Sequence, residues 1–234
     1  MKIGWIGTGI MGAAMAGHLQ FAGHELALFN RTRDKAKTLT DRGGRWCDSP
    51  AAVASESEVV FTMVGLPADV EETYLGPQGI LAAEAKCRIV VDMTTSEPAL
   101  ARRIAKAAVK KGIFSLDAPV SGGDVGARNA TLAIMVGGDR KIYDEVLPLL
   151  QHMGKTIAWM GGPGAGQHTK MCNQILIAGT IIGVCESLLY AEKAGLDMQA
   201  VIDIIGKGAA SSWSINTLGP RIAQGDFRPG FYVE

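Results

Sequence analysis

Gly7-Thr8-Gly9-Ile10-Met11-Gly12 follows directly on the apolar run Lys2–Ile6 and opens a glycine-punctuated segment that reads as helix to about residue 22. In that setting each glycine has a separate job. Gly7 permits the tight turn out of the strand, Gly9 lets a pyrophosphate approach the backbone, and Gly12 lets helix and strand pack closely. The N–H groups around Ile10 and Met11 then stand at a helix N-terminus, where partial positive charge favours phosphate. Glycine is common here (30 of 234 residues), so the motif carries weight through its position rather than its letters. The competing reading is a glycine-rich turn in some other α/β protein.

Working outward, Glu25–Phe29 reads as a second strand and 34–42 as a charged helix. Ser49-Pro50 has the form of an N-cap followed by proline at the first helical position. Segments 59–64 and 89–93 are apolar enough to be strands buried on both faces. Ser96 is expected to cap a helix over 98–110, ahead of a strand at 113–116. This alternation predicts an α/β, Rossmann-type doubly wound parallel sheet with helices on both faces.

The character changes at Gly161-Gly162-Pro163-Gly164, after which everything reads as helix. The stretch 167–194 is nearly apolar all round, which demands protein cover on most sides, from a second domain or a dimer partner. Shorter helices are expected over 198–207 and 214–223. The division predicted is a nucleotide-binding domain over 1–163 and an all-α domain over 164–234.

The second strand ends in Asn30-Arg31-Thr32, with Lys35 a turn further on. An NAD enzyme ordinarily places Asp or Glu here to accept from the ribose hydroxyls. This stretch has no carboxylate to repel a 2′-phosphate. Arg31 can stack on adenine or fork onto phosphate, and Thr32 can donate a hydrogen bond. NADP is therefore expected ahead of NAD; the plainer reading makes Arg31 and Lys35 solvated charges at a helix start.

Composition narrows the partners. Lys plus Arg equal Asp plus Glu at 23 each, with no basic stripe, which speaks against nucleic acid or an anionic membrane. The longest apolar run, 175–185, is too short to span a bilayer and is flanked by Lys170 and Glu186. The N-terminus lacks signal-peptide form, so a cytoplasmic location is expected. Cys47, Cys87, Cys172 and Cys185 are scattered, which predicts reduced, buried thiols and no metal site.

Two loci carry candidate chemistry. Ser121-Gly122-Gly123, after a strand and Pro119, can present successive N–H groups as an anion nest, though it reads equally as a glycine-rich loop. Lys170 sits early in an otherwise apolar helix, where a charge is costly, and Asn173 and Gln174 share its face at three and four residues on. A lysine at a helix start is most often simply solvated; the polar trio argues otherwise.

Several segments together resemble the β-hydroxyacid dehydrogenase family, which includes 3-hydroxyisobutyrate dehydrogenase and tartronate semialdehyde reductase. They are Ile6 through Gly12, Asn30-Arg31-Thr32, Asp92-Met93-Thr94-Thr95, Asp117 through Gly123, and Gly164-Ala165-Gly166 leading to Lys170-Met171-Cys172-Asn173. The resemblance implies that Leu66, Pro67 and Thr95 border the nicotinamide side of the cofactor. It implies that Ser121, Gly122 and Gly123 bind a substrate carboxylate, and that Lys170 is the catalytic residue with Asn173 beside it. Gln174 stands where many relatives have Asn.

The function implied is hydride transfer between NADP(H) and a small 3-hydroxy acid or its semialdehyde, with Lys170 as general acid and base. The expected partners are a small carboxylate or aldehyde and further copies of the chain, as homodimer or homotetramer. Relatives continue beyond Phe231-Tyr232-Val233-Glu234 through a Lys-Asp-Leu-type segment, so the all-α domain is expected to be partial. Two alternatives remain. A 6-phosphogluconate dehydrogenase relative would share the Val120-Ser121-Gly122-Gly123 loop but has a His-Asn pair where Cys172-Asn173-Gln174 stand. A non-catalytic NADP-binding protein would leave Lys170, Asn173 and the Ser-Gly-Gly loop without a shared purpose.

Overall fold

The computed structural model describes residues 1–82 and 86–228, so the chain's last six residues, with Phe231 to Glu234 among them, lie outside the described residues. The chain divides into two units, Met1–Lys170 and Met171–Glu234.

In the first unit, β1 (Lys2–Ile6), α1 (Ile10–Phe21) and β2 (Glu25–Phe29) lie where the motif puts them. The charged segment after β2 is not one helix. It is a 3-10 turn (Arg33–Ala36) running into a single turn, α2 (Lys37–Thr40), followed by a two-residue strand, β3 (Arg45–Trp46). Helix α3 (Pro50–Glu56) begins as expected, with the Ser49 hydroxyl accepting from Ala52 N–H at 3.1 Å. Next come β4 (Val59–Thr62), α4 (Pro67–Leu75), β5 (Ile89–Asp92) and α5 (Pro98–Val109).

Here the sequence reading errs by one residue. The N-cap of α5 is Glu97, because Pro98 takes the first helical position and fixes the cap immediately before it. The Ser96 hydroxyl is buried and has no hydrogen-bond partner among the described residues.

The unit continues with β6 (Phe114–Asp117), β7 (Val120–Ser121), α6 (Gly123–Arg128), β8 (Leu132–Gly137), α7 (Arg140–Leu150) and β9 (Gly154–Gly161). The sheet runs β3-β2-β1-β4-β5-β6-β8-β7, with β9 paired to β8. Strands β3 to β6 of that order are parallel, whereas β8 is antiparallel to both β6 and β7. The expected all-parallel sheet is thus mixed at one side. Strands β4 and β5 are buried along their whole length, since helices cover both faces. One core cluster gathers Trp5, Met15, Phe61, Val91 and Ile134; the other gathers Val53, Val60, Tyr74, Val90 and Ile104. They are the two faces of one sheet.

Helix α8 (Ala165–Lys193) begins in the first unit and carries on into the second, which adds α9 (Met198–Ile205), α10 (Trp213–Thr217) and α11 (Gly219–Ala223). The second unit has its own small core of Val184, Leu188, Ile202 and Ile215. One expectation changes here. By length and composition α8 does qualify as a possible membrane span, with a mean hydropathy of 1.6 over its best window, because Gly179, Thr180 and Gly183 barely interrupt the apolar run. Within the single chain, Ile175, Leu176, Ile182 and Tyr190 of α8 are exposed. The thiols also divide: Cys47 and Cys87 are buried, but Cys172 and Cys185 are exposed.

Candidate active site

The sheet's order reverses between β1 and β4, and ligands of open α/β sheets bind at the carboxyl ends of strands flanking such a reversal. The Gly7–Gly12 turn stands at that place. Gly7 has a φ of +95°, and a Cβ there would run into the Met63 carbonyl. A Cβ on Gly12 would strike the Gly7 carbonyl, which already accepts from Trp5 Nε1–H at 2.9 Å. Gly9 is different: a Cβ built on it would meet nothing within 4 Å. Two glycines are explained by the protein's own packing, and the third faces open space at the N-terminus of α1.

That space has the donors a pyrophosphate needs. The Thr8 hydroxyl is buried without a partner among the described residues, and the first N–H groups of α1 lie beside it. The Asn30 side chain fixes the loop, accepting from Thr8 N–H at 2.9 Å and donating to the Thr32 carbonyl at 2.7 Å. The residues present therefore fit a dinucleotide. Asn30, assigned to the cofactor from sequence, here shapes the turn from behind.

Arg31 and Lys35 are exposed, and Thr32 precedes the 3-10 turn without using its hydroxyl as a cap. The sequence reading found no carboxylate near Arg31, but the fold brings one. Asp69 Oδ1 lies 3.0 Å from Arg31, while Asp69 Oδ2 accepts from Leu66 N–H at 3.0 Å. Leu66 is exposed and Pro67 half-buried, at the mouth of α4.

The loop after β5 is held more tightly. Asp92 is buried; one of its oxygens accepts from the Thr62 hydroxyl at 2.8 Å and from Thr94 N–H at 3.1 Å. Since Thr62 donates to Asp92, the Tyr74 hydroxyl, 3.0 Å away, donates to Thr62. Burial pushes the Asp92 carboxyl up to about 6 despite those donors. Thr94 is buried and Thr95 exposed on the rim.

Ser121 ends β7, with Gly122 at φ +131° as the N-cap of α6. That backbone conformation disfavours any side chain, so glycine is required for the turn. The start of helix α8 is anchored to the end of a strand. Asp117, at the end of β6, takes Gly164 N–H on Oδ1 at 2.7 Å and Gln167 N–H on Oδ2 at 2.9 Å. Lys170 follows within the same helix. It is buried, burial lowers its pKa, and it forms no ion pair among the described residues. Asn173 and Gln174 continue α8 at three and four residues on, with Asn173 Nδ2–H donating to Gln174 Oε1 at 2.9 Å. No hydrogen bond among the described residues joins Ser121 to Lys170. The sequence reading placed Asp92 and Asp117 in matching stretches and Gln167 at a helix start, but assigned none of them a role. An Asp closing each of two apolar strands was the available signal.

Comparison with known proteins decides what this assembly is. Residues 2–161 match the family model described as the NAD-binding domain of 6-phosphogluconate dehydrogenase. Residues 164–234 match the one described as NAD-binding of NADP-dependent 3-hydroxyisobutyrate dehydrogenase. The 3-hydroxyisobutyrate dehydrogenase of Mycobacterium tuberculosis, solved with L-serine, superposes with a TM-score of 0.88 at 34% identity. That match covers 98% of this chain and 80% of the other. The chain belongs to the β-hydroxyacid dehydrogenase family.

Within this family it is 53% identical over 99% of its length to an Arabidopsis thaliana protein named probable 3-hydroxyisobutyrate dehydrogenase-like 1, of which it covers 70%. It is 40% identical to the 2-hydroxy-3-oxopropionate reductase of Escherichia coli over its whole length, covering 80% of that enzyme. These relatives support a hydroxyacid dehydrogenase that uses a pyridine nucleotide.

Proposed function

We propose that this β-hydroxyacid dehydrogenase prefers NADP and interconverts a small 3-hydroxy acid and its semialdehyde, with Lys170 as general acid and base. The observation that carries the proposal is Lys170 itself: a buried lysine without a carboxylate partner among the described residues, on a helix anchored by a buried aspartate. Burial lowers the Lys170 pKa below the ordinary lysine value, which makes the ammonium a readier proton donor.

When bound, the nicotinamide ring supplies or accepts the hydride. Gly7, Gly9, Ile10, Met11 and Gly12 receive the pyrophosphate, and Arg31, Thr32 and Lys35 the 2′-phosphate. Leu66, Pro67 and Thr95 flank the nicotinamide end. Ser121, Gly122 and Gly123 hold the substrate carboxylate through backbone N–H groups and the Ser121 hydroxyl. As hydride reaches the aldehyde carbon, the Lys170 ammonium stabilises the oxygen and transfers a proton to it, giving the alcohol and a neutral amine. In the oxidative direction the neutral amine removes the hydroxyl proton. Asn173, with Gln174 bonded to it, orients the Lys170 amine or the substrate oxygen.

Three further points belong to the proposal. The domain boundary falls near residue 163, in the breaker cluster ahead of α8. The exposed apolar residues Ile175, Leu176 and Ile182 serve a homodimer or larger homo-oligomer. The compartment is cytoplasmic and reducing, which keeps Cys47 and Cys87 as thiols. The test is NADPH consumption with glyoxylate, succinic semialdehyde, methylmalonate semialdehyde and tartronate semialdehyde. Turnover of none of the four, or of 6-phosphogluconate instead, would overturn the substrate class.

A further inference from the structure

Gln167 is wholly shielded from solvent, and both ends of its amide serve one loop. Its Nε2–H donates to the Thr94 carbonyl at 2.7 Å, and its Oε1 accepts from Ser96 N–H at 2.8 Å. The amide thereby straddles Thr95, the residue assigned above to the nicotinamide end. Its backbone N–H is also committed, to Asp117 Oδ2 at 2.9 Å.

The loop it grips is tied onward. Thr94 Oγ1 accepts from Val64 N–H at 3.0 Å, and Thr94 N–H donates to Asp92 at 3.1 Å. A continuous run of hydrogen bonds thus leads from the end of β4, through the 94–96 loop, into the first turn of α8. Lys170 comes three residues after Gln167, in the next turn of the helix.

A side chain that only filled space here would be better apolar, since a buried amide is costly unless every group is paired. Gln167 is paired at both ends, and to backbone that an apolar residue could not hold. We propose that Gln167 is a positioning residue, locking the Lys170 turn of α8 to the 94–96 loop so that proton donor and cofactor wall share one register. The inference rests on Lys170 being the acid and base.

The experiment compares Gln167→Met, Gln167→Glu and Lys170→Ala. In hydrogen exchange on the chain without cofactor, Gln167→Met should speed exchange of 94–97 and 165–170 together and leave 7–12 unchanged. In turnover per folded molecule, Gln167→Met should lower kcat about 10–100-fold with little change in the aldehyde KM, the scale of a misplaced catalytic group. Gln167→Glu keeps the shape and tests the donor. Its carboxyl can donate to the Thr94 carbonyl only when protonated, so its kcat relative to the parent should climb as pH falls. A flat ratio, or parental kcat in Gln167→Met while Lys170→Ala is inactive, overturns the positioning role alone. Full activity in Lys170→Ala overturns the acid–base reading, and this inference with it.

Discussion

Arg31 and Asp69 meet at 3.0 Å across the gap between the end of β2 and the first turn of α4. The arginine side chain is 87% exposed, so the pair is solvated and contributes little stability. A 2′-phosphate bound at Arg31 would compete with Asp69 for the same guanidinium.

Cofactor preference follows from that competition. NADPH is expected to bind more tightly than NADH. Arg31→Asp should reverse the order by removing a charge-assisted bond of about 1.5–3 kcal/mol and adding repulsion. Asp69→Asn frees the arginine and should strengthen NADPH binding while leaving NADH nearly unchanged. Fluorescence titration of both cofactors checks all three, and equal affinities in the parent would remove the basis of the prediction.

Lys170→Ala should lower kcat roughly 10²–10⁴-fold, the share of a positioned acid, with NADPH affinity nearly intact. Lys170→Arg should not rescue, because a guanidinium keeps its proton. Stability moves the other way. Burial disfavours the ammonium, so the folded state pays for it at pH values below the lowered pKa, and the cost disappears as pH rises toward the ordinary lysine value. Lys170→Met should therefore raise Tm near neutral pH, by less as the solution becomes alkaline. An unchanged or lower Tm at neutral pH would contradict this.

Asp92 predicts a pH dependence at the acid end. Its folded carboxyl titrates at about 6, above the ordinary 3.8, so between those values the folded state holds a proton that the unfolded chain has released. That term lowers stability as pH rises from 4 to 6 and is complete above 6. Asp92→Asn keeps the acceptor for Thr62 and Thr94 and should flatten this part of the profile. Chemical denaturation of both proteins at pH 4, 5, 6 and 7 measures the difference; identical profiles would exclude Asp92 as its source.

Gly9 and Gly12 should separate binding from folding. Gly12→Ala drives a Cβ into the Gly7 carbonyl, an overpacking cost of about 1–3 kcal/mol that Tm will register. Gly9→Ala meets no protein atom and should leave Tm within about 0.5 kcal/mol of the parent, while weakening cofactor binding at least about 10-fold. Parental cofactor affinity in Gly9→Ala would mean that the open space is not the pyrophosphate's.

The exposed apolar residues of α8 predict self-association. Leu176→Glu and Ile182→Glu, at residues 72% and 59% exposed, should shift light scattering across a dilution series toward monomer. A parent that is monomeric at micromolar concentration would count against the oligomer.

What could be read from the sequence was what local chemistry decides. The Gly7–Gly12 turn and the buried strands β4 and β5 announce themselves in contiguous residues. Ser49 and Ser96 show the limit of that approach. Both precede a proline closely, but only Ser49 is adjacent to it, and the first helical position of Pro98 belongs after Glu97. Helix α4 is short and weakly patterned, and its local marks, Pro67 at the first helical position and Asp69 two residues on, are easily passed over. The antiparallel entry of β8 between β6 and β7 is a pairing choice among distant segments, beyond the reach of periodicity. Asp69 at Arg31 was hidden for the same reason, being 38 residues away.

The anchoring of α8 also bears on the order in which the fold forms. Its first turn takes its cap from Asp117, 47 residues upstream of Gly164, and its loop tie from Ser96, 71 residues before Gln167. Contacts of such separation carry loop-closure entropy and form late. β5 and β6 precede α8 in the chain, so the Lys170 turn is expected to gain its fixed place only after they have paired. Until then α8 would be an apolar helix with a lysine in no particular place.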